Sequence, residues 1–234
     1  MEDVQEYPTR VTKVVRWSEH TVSVRFERPE GFSYLPGQYM FITLTRGGEK
    51  LIRHLTISSS PTEPLLEVTK ELTGHPFAEA LAALVPGDEA TIRGPYGAFT
   101  FAEDADVVFI SGGIGVTPLR SMARYATDTG LLTRITLLYS ARSEEDVLFG
   151  PDFEEMEQQN PRLSVRITLT RPGPEWTGRV GRIDRAFIEN AVPDRRGRVF
   201  FISGPAVMVD AMTAILKEIE VPDERIRREY FPGY

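Results

Sequence analysis

Residues 107–118 read VVFISGGIGVTP. The first four are apolar without any polar alternation. A strand of that kind is buried on both faces, as happens when helices cover a parallel sheet on either side. Glycines follow, and a helix is predicted from Thr117 to about Tyr125. Strand, glycine turn and helix in that order let backbone amides approach an anion, whose charge the helix N-terminus favours. Pro118 stands where the third glycine of a Rossmann fingerprint would fall, so the turn is not that motif. A lone glycine turn can also be no more than a tight connection. It becomes specific only in company.

Downstream, the theme repeats. ITLLYS (135–140), LSVRITLT (163–170) and RVFFIS (198–203) read as strands; an acidic segment around 151–158 and PAVMVDAMTAILKEI (205–219) read as helices. This alternation predicts an α/β domain with a parallel sheet. A second glycine turn, SGPAVMVDAM at 203–212, ends the last of these strands. Two glycine-bearing strand ends in one sheet border the same crevice, where open α/β sheets hold ligands. Met208 and Met212, four residues apart, fit a core face as well as a ligand contact.

Upstream, the pattern differs. RVTKVVRW (10–17) and TVSVRFE (21–27) alternate at period 2, and YMFITLT (39–45), residues 52–58, LLEVTK (65–70) and EATIRG (89–94) add four short strands. Pro29, Gly31, Pro36 and Gly37 punctuate a turn cluster, and PFAEALAALV (76–85) reads as one helix with Pro76 at its first position. Six short strands with one helix predict a small antiparallel β-barrel. The expected boundary lies in GPYGAFTF (94–101), giving domains 1–97 and 98–234. Within the barrel, RHLTISSSP (53–61) carries an Arg and four hydroxyls on an apolar strand. That pattern suits a site holding something flat at one end and anionic at the other.

Composition bounds the chemistry. The 234 residues contain no cysteine, which excludes disulfides, thiolate-held iron–sulfur clusters and a Cys nucleophile within them. Three isolated histidines make a His-built metal site a poor expectation, and no Ser-His-Asp set or carboxylate pair stands out. The start MEDVQEYPTRVTKV lacks the features of a signal peptide, and no run approaches the roughly 18 apolar residues of a membrane span. A cytoplasmic protein is expected. The net charge of −7 argues against a nucleic-acid partner. Arginines do cluster late (Arg179, Arg182, Arg185, Arg195, Arg196, Arg198, Arg225, Arg227, Arg228), either as a solvated face beside acids or as a dock for an acidic partner.

In sequence order, RHLTISSSP, GPYGAF, GGIGVTP, LLYSAR, SGPAVMVDAM and EYFPGY resemble the ferredoxin–NADP reductase family over nearly the whole chain. The resemblance implies a flavin-binding barrel, a nicotinamide-dinucleotide domain, and hydride transfer from NAD(P)H to FAD, with FMN the less favoured flavin. It implies that Arg53 pairs with the flavin pyrophosphate and that Thr56 hydrogen-bonds near the ring's N5 edge. His54, Leu55, Ile57 and Ser58 would complete that strand of the pocket. Leu55 departs from the family, which has Tyr or Phe there, and loses aromatic stacking. Val68, Thr69 and Lys70 would run along the ribityl–phosphate chain, and Gly74, His75, Pro76 and Phe77 would form the phosphate turn. Phe77 replaces the family's hydroxyl residue.

In the second domain, the resemblance assigns Gly112, Gly113, Gly115 and Thr117 to the dinucleotide loop, and Gly204 and Met208 to the same nucleotide. Ser203 stands where many relatives have Cys beside the nicotinamide. Glu229 matches an acid near the flavin, and Tyr230, Phe231 and Tyr234 would cover the ring. Arg142, Thr170 and Arg171 resemble a 2′-phosphate site and favour NADPH over NADH, although Glu144, Glu145 and Asp146 lie close in sequence and oppose it. The expected acceptor is a separate protein: a ferredoxin, a flavodoxin or an oxygenase component. A reductase subunit of an oxygenase or other redox complex, and a module that has lost its flavin, are the alternatives.

Overall fold

The computed structural model describes residues 5–101 and 106–231. Six strands, β1 (Glu6–Ser18), β2 (Thr21–Glu27), β3 (Tyr39–Arg46), β4 (Glu49–Thr56), β5 (Leu65–Glu71) and β6 (Glu89–Tyr96), form an antiparallel sheet in the order β4-β3-β6-β1-β2-β5. Its core holds Val22, Val24, Phe26, Met40, Ile42 and Ile92, and helix α1 (Pro76–Ala82) plugs one side with Phe77 and Leu81. The sheet curls until its two edges meet. They touch through a single bridge, Ile57 to Val68, backed by the Ser58 amide donating to the Glu67 carbonyl at 2.7 Å. The run read as a strand over 52–58 thus begins earlier, at Glu49, and leaves the regular ladder at Thr56.

The second sheet has strands β7 (Val107–Gly112), β8 (Ile135–Ala141), β9 (Leu163–Leu169), β10 (Arg179–Val180), β11 (Val199–Pro205) and β12 (Ile226–Phe231), in the order β10-β9-β8-β7-β11-β12 and all parallel. Helices α2 (Val116–Asp128), α3 (Gly150–Gln159), α4 (Arg185–Ala191) and α5 (Ala206–Glu218) cover it. The apolar run of β7 divides as its period requires. Val107 and Phe109 join the cluster that includes α2 and α3 residues, whereas Val108 and Ile110 join the one that includes α4 and α5 residues.

The two sheets meet along α2 and the segment 57–63. Gly37 shows how tightly: its φ is +99°, and a Cβ there would collide with the Phe99 carbonyl oxygen and the Met122 side chain of α2. Gly37→Ala combines a left-handed strain of about 1–2 kcal/mol with overpacking of about 1–3 kcal/mol. A urea-unfolding midpoint should show a loss of about 2 kcal/mol or more; an unchanged midpoint would mean that the junction is loose.

Candidate active site

A cleft of about 300 Å³ opens between the sheets. Its barrel wall is β4, β5 and the start of α1: Arg53, His54, Leu55, Thr56, Thr69, Lys70, His75 and Phe77, joined by Tyr39, Thr73 and Ala78. Its other wall is the turn after β7 and the strand β12: Ile114, Thr117, Glu229, Tyr230 and Phe231. Strand β4 is exposed at Ile52, Arg53 and His54 and only half-buried at Leu55 and Thr56. An edge strand uncovered on consecutive residues lacks a neighbour on both faces, as a ligand-facing strand does.

The barrel wall is cationic. Among the described residues, the Arg53 side chain hydrogen-bonds only to the adjacent Ile52 carbonyl, at 2.7 Å. Burial depresses the Lys70 ammonium; Arg53 depresses it further, and Glu71 offsets part of this. Among the described residues, neither cation has a carboxylate within ion-pair distance. Beside them stand the hydroxyls of Thr56 and Thr69 and the apolar faces of Leu55, Tyr39 and Phe77. Cations without acid partners, next to apolar walls with a few hydroxyls, fit a diphosphate joined to a flat ring.

Across the cleft, chain order reverses between β7 and β11: β8 and β9 lie on one side, β11 and β12 on the other. Both glycine turns sit at this switch point, where open α/β sheets bind ligands. They interlock. Ser111 Oγ donates to the Ser203 carbonyl (3.2 Å), Ser203 Oγ donates to the Gly115 carbonyl (2.5 Å), and a Cβ on Gly112 would lie 2.7 Å from the Met208 sulfur. Register places Ser111, Ser203 and Glu229 abreast on β7, β11 and β12. Arg142 and Thr170–Arg171 follow the ends of β8 and β9 on the same edge, with the Arg171 amide donating to the Arg142 carbonyl at 2.7 Å.

Several expected positions differ. Ser58 is fully buried; its hydroxyl donates to Glu67 at 3.0 Å and lies 3.3 Å from the Thr69 hydroxyl, so it faces the barrel interior and not the cleft. Ile57 and Val68 are core residues because they close the barrel. Ser203 is also fully buried, and its hydroxyl is occupied by Gly115. Phe77 lines the cleft yet is 1% exposed, packed into the barrel core; Pro76 beside it contributes no amide to a phosphate turn. His54 is exposed and also borders the cleft. Tyr234 lies outside the described residues. Tyr39 was missed, although it faces Thr56 across the β3–β4 ladder; Thr73, Ala78 and Ile114 had no signal beyond their neighbours. Of the late arginines, Arg179, Arg185, Arg195, Arg196, Arg198 and Arg228 pair with acids, and Arg198 is buried.

Comparison with known proteins accords with this geometry. Residues 8–101 match an oxidoreductase FAD-binding domain, and residues 109–214 match an oxidoreductase NAD-binding domain. A ferredoxin–NADP reductase B of Sorangium cellulosum is 30% identical over 231 residues, spanning 94% of this chain and 93% of that one. The chain belongs to the ferredoxin–NADP reductase family. A glycine betaine monooxygenase reductase subunit of Chromohalobacter salexigens is 33% identical over 218 residues, 89% of this chain. The chain spans 59% to 63% of the length of such betaine monooxygenase relatives. The structure of a cytochrome P450 reductase from Amycolatopsis superposes with a TM-score of 0.86 at 25% identity, covering 97% of this chain and 70% of that one. No described helix is long and apolar enough to cross a membrane.

The two matched domains are ones that bind FAD and a nicotinamide dinucleotide, and the cleft lies between them. Two predictions follow from the walls. If Arg53 pairs with the flavin pyrophosphate, as the resemblance implies, Arg53→Ala removes a charge-assisted contact worth about 1.5–3 kcal/mol. Flavin affinity, read by fluorescence quenching, should fall about tenfold or more; unchanged affinity would remove Arg53 from the pyrophosphate. Burial raises the Glu229 carboxyl above its ordinary range. A carboxyl with a raised folded pKa holds its proton more tightly folded than unfolded, so stability is lost as pH rises through the folded value. In flavin-free protein, Glu229→Gln should therefore match the parent below about pH 4 and become the more stable as pH rises. A gap independent of pH would refute the desolvated carboxyl.

Proposed function

We propose that the chain is a cytoplasmic flavin-dependent NAD(P)H reductase that passes electrons to a separate acceptor protein. The observation that carries this reading is the shared cleft: unpaired cations and hydroxyls on the barrel wall, the end of a glycine turn on the other. Bound FAD would supply hydride acceptance and the stepwise return of electrons. Arg53 and Lys70 would hold its pyrophosphate, Thr56 would offer a hydroxyl to the ring's reactive edge, and Leu55 would cover a ring face by dispersion. Tyr230 and Phe231 shield the ring from water on the sheet side. The turns at Gly112–Gly115 and Ser203–Gly204 leave room for the dinucleotide backbone; Ser203 acts by holding Gly115 in place. The division into a flavin domain (1–97) and a nucleotide domain (98–234) follows from the same assignment.

The donor we favour is NADPH. Two of the three neighbouring acids are engaged elsewhere: Glu144 accepts the Gly173 amide at 3.1 Å, and Asp146 accepts the Ser143 amide and hydroxyl at 3.2 and 2.9 Å. Arg142 and Arg171 are exposed and without ion pairs among the described residues, beside the Thr170 hydroxyl. For the acceptor, an oxygenase component is favoured over a ferredoxin or flavodoxin, because most of the late arginines are already neutralised by acids.

A stopped-flow experiment tests the reading. Mixing flavin-loaded protein with NADPH should bleach the flavin absorbance faster than NADH does; no bleaching with either donor would refute the function. Arg171→Ala should raise KM for NADPH about tenfold and leave KM for NADH within about twofold. Equal effects on both would refute 2′-phosphate recognition.

A further inference from the structure

Outside the cleft, Arg120 on α2 is only 3% exposed. Its five N–H donors each meet an acceptor. Nε and one Nη2 hydrogen reach Asp152 of α3, at 3.0 and 2.5 Å; the other Nη2 hydrogen reaches Glu63 Oε1 at 3.0 Å; Nη1 reaches Glu63 Oε2 and, at 3.2 Å, the Ser58 carbonyl. Glu63 and Ser58 belong to the barrel, while Arg120 and Asp152 belong to the nucleotide domain. Burial would depress the guanidinium's pKa, yet the Glu63 hydrogen bond and the charges of Glu63 and Asp152 raise it. The guanidinium also lies 5.6 Å from the ring centre of Phe149, which stands at φ +58° and packs edge-on against Trp17 of the barrel at 5.1 Å. A bulky residue held in that left-handed conformation is strained and persists only where its surroundings enforce it.

We propose that Arg120, with Glu63 and the Ser58 carbonyl, is a positioning clamp that sets the spacing between the flavin and nicotinamide sites. The inference rests on the reductase reading above. Sequence distance makes the link direct. Thr117, on the sheet wall of the cleft, lies three residues before Arg120, one turn away on α2. Thr56, on the barrel wall, lies two residues before Ser58. The clamp therefore ties the two walls within one helical turn of the cleft. A buried ion group is a poor device for stability alone, because an apolar joint of equal volume is often as stable or more so. Its geometric demands are what it adds: the three donors that cross to Glu63 and Ser58 are satisfied in one relative placement of the domains and in few others. Hydride transfer is sensitive to such placement, since a shift of about 1 Å can cost about 100-fold in rate.

Three variants test the clamp. Glu63→Ala breaks the interdomain pair; Arg120→Lys keeps the charge but loses the planar fork; Asp152→Asn perturbs only the contact within the nucleotide domain. With saturating NADPH, the flavin-bleaching rate should fall about 10- to 100-fold in Glu63→Ala and less in Arg120→Lys and Asp152→Asn. Flavin affinity and KM should stay within about twofold. Because the chain has no cysteine, spin labels at Glu49→Cys and Glu218→Cys report the distance between the domains directly. That distance distribution should be narrow in the parent and broad in Glu63→Ala. An equally narrow distribution in Glu63→Ala would refute the clamp whatever the protein's activity. A broadened distribution with a parental bleaching rate, or a rate that falls only in proportion to lost flavin, would refute the positioning role. If the parent is not bleached by either nucleotide, the reductase reading fails, and the distance measurement still decides whether the clamp exists.

Discussion

Arg120 has five N–H groups and almost no water to give them to. Buried guanidinium is tolerable only where acceptors are already in place, and here they come from two separated stretches of chain, the segment with Ser58 and Glu63 and the start of α3. Glu63 and Ser58 are available only when the barrel has closed, because the segment that carries them begins at the Ile57–Val68 bridge. Ser121 Oγ adds a 2.6 Å bond to the Ser59 carbonyl, and Thr62 adds one of 2.5 Å to Asp128. Closure of one domain and docking of the other are thus linked through a single short segment. The cleft lies at the start of that segment, so its shape depends on the same contacts.

The segment also explains why RHLTISSSP is so rich in hydroxyls. Thr56 is the one of the four that reaches the cleft. Ser58 bonds within the barrel, Ser59 Oγ meets Tyr34 and the Glu67 amide, and Ser60 Oγ meets Thr62. A hydroxyl satisfying a buried loop and one meeting a ligand look identical in sequence, and only register separates them. By contrast, the parallel sheet was legible from β7 onward, because an uninterrupted apolar run has few uses besides a strand covered on both faces. Arg53, Thr56, Thr69 and Lys70 were legible because a family resemblance carried them. Arg120 was not: its carboxylate partners lie 57 and 32 residues away, and on its own it reads as an ordinary helix-surface cation. Strand β12, IRREYF, was hidden for the opposite reason. Edge strands carry charge on their open side, and only Ile226 of this one is buried.

Charge is used differently at the two ends of the parallel sheet. Near the N-terminal ends of the strands, Asp106 before β7, Arg134 before β8 and Arg198 before β11 form one network with Asp194. The Asp106 and Asp194 carboxyls are desolvated by their surroundings, but hydrogen bonds and charge from Arg134 and Arg198 hold both below the usual range. Exposed pairs of this kind contribute little to stability individually. The register that brings the glycine turns at the opposite ends together is set by the backbone ladder, which pairs Val107 with Val199 and Ser111 with Ser203.

At that opposite end, and across the cleft from it, Arg142, Arg171, Arg53 and Lys70 have no ion-pair partner among the described residues. The chain has 34 acidic residues against 27 Lys and Arg, so a carboxylate could have been placed beside each of them. Arg142 and Arg171 are exposed, and water solvates them at little cost. Lys70 is the more telling case. It is half-buried and its ammonium is depressed by lost hydration, a penalty that the adjacent Glu71 carboxylate offsets only in part. Such a penalty makes physical sense when the neutralising charge arrives with a ligand. A diphosphate then gains what the free protein forgoes, and a carboxylate in its place would repel it.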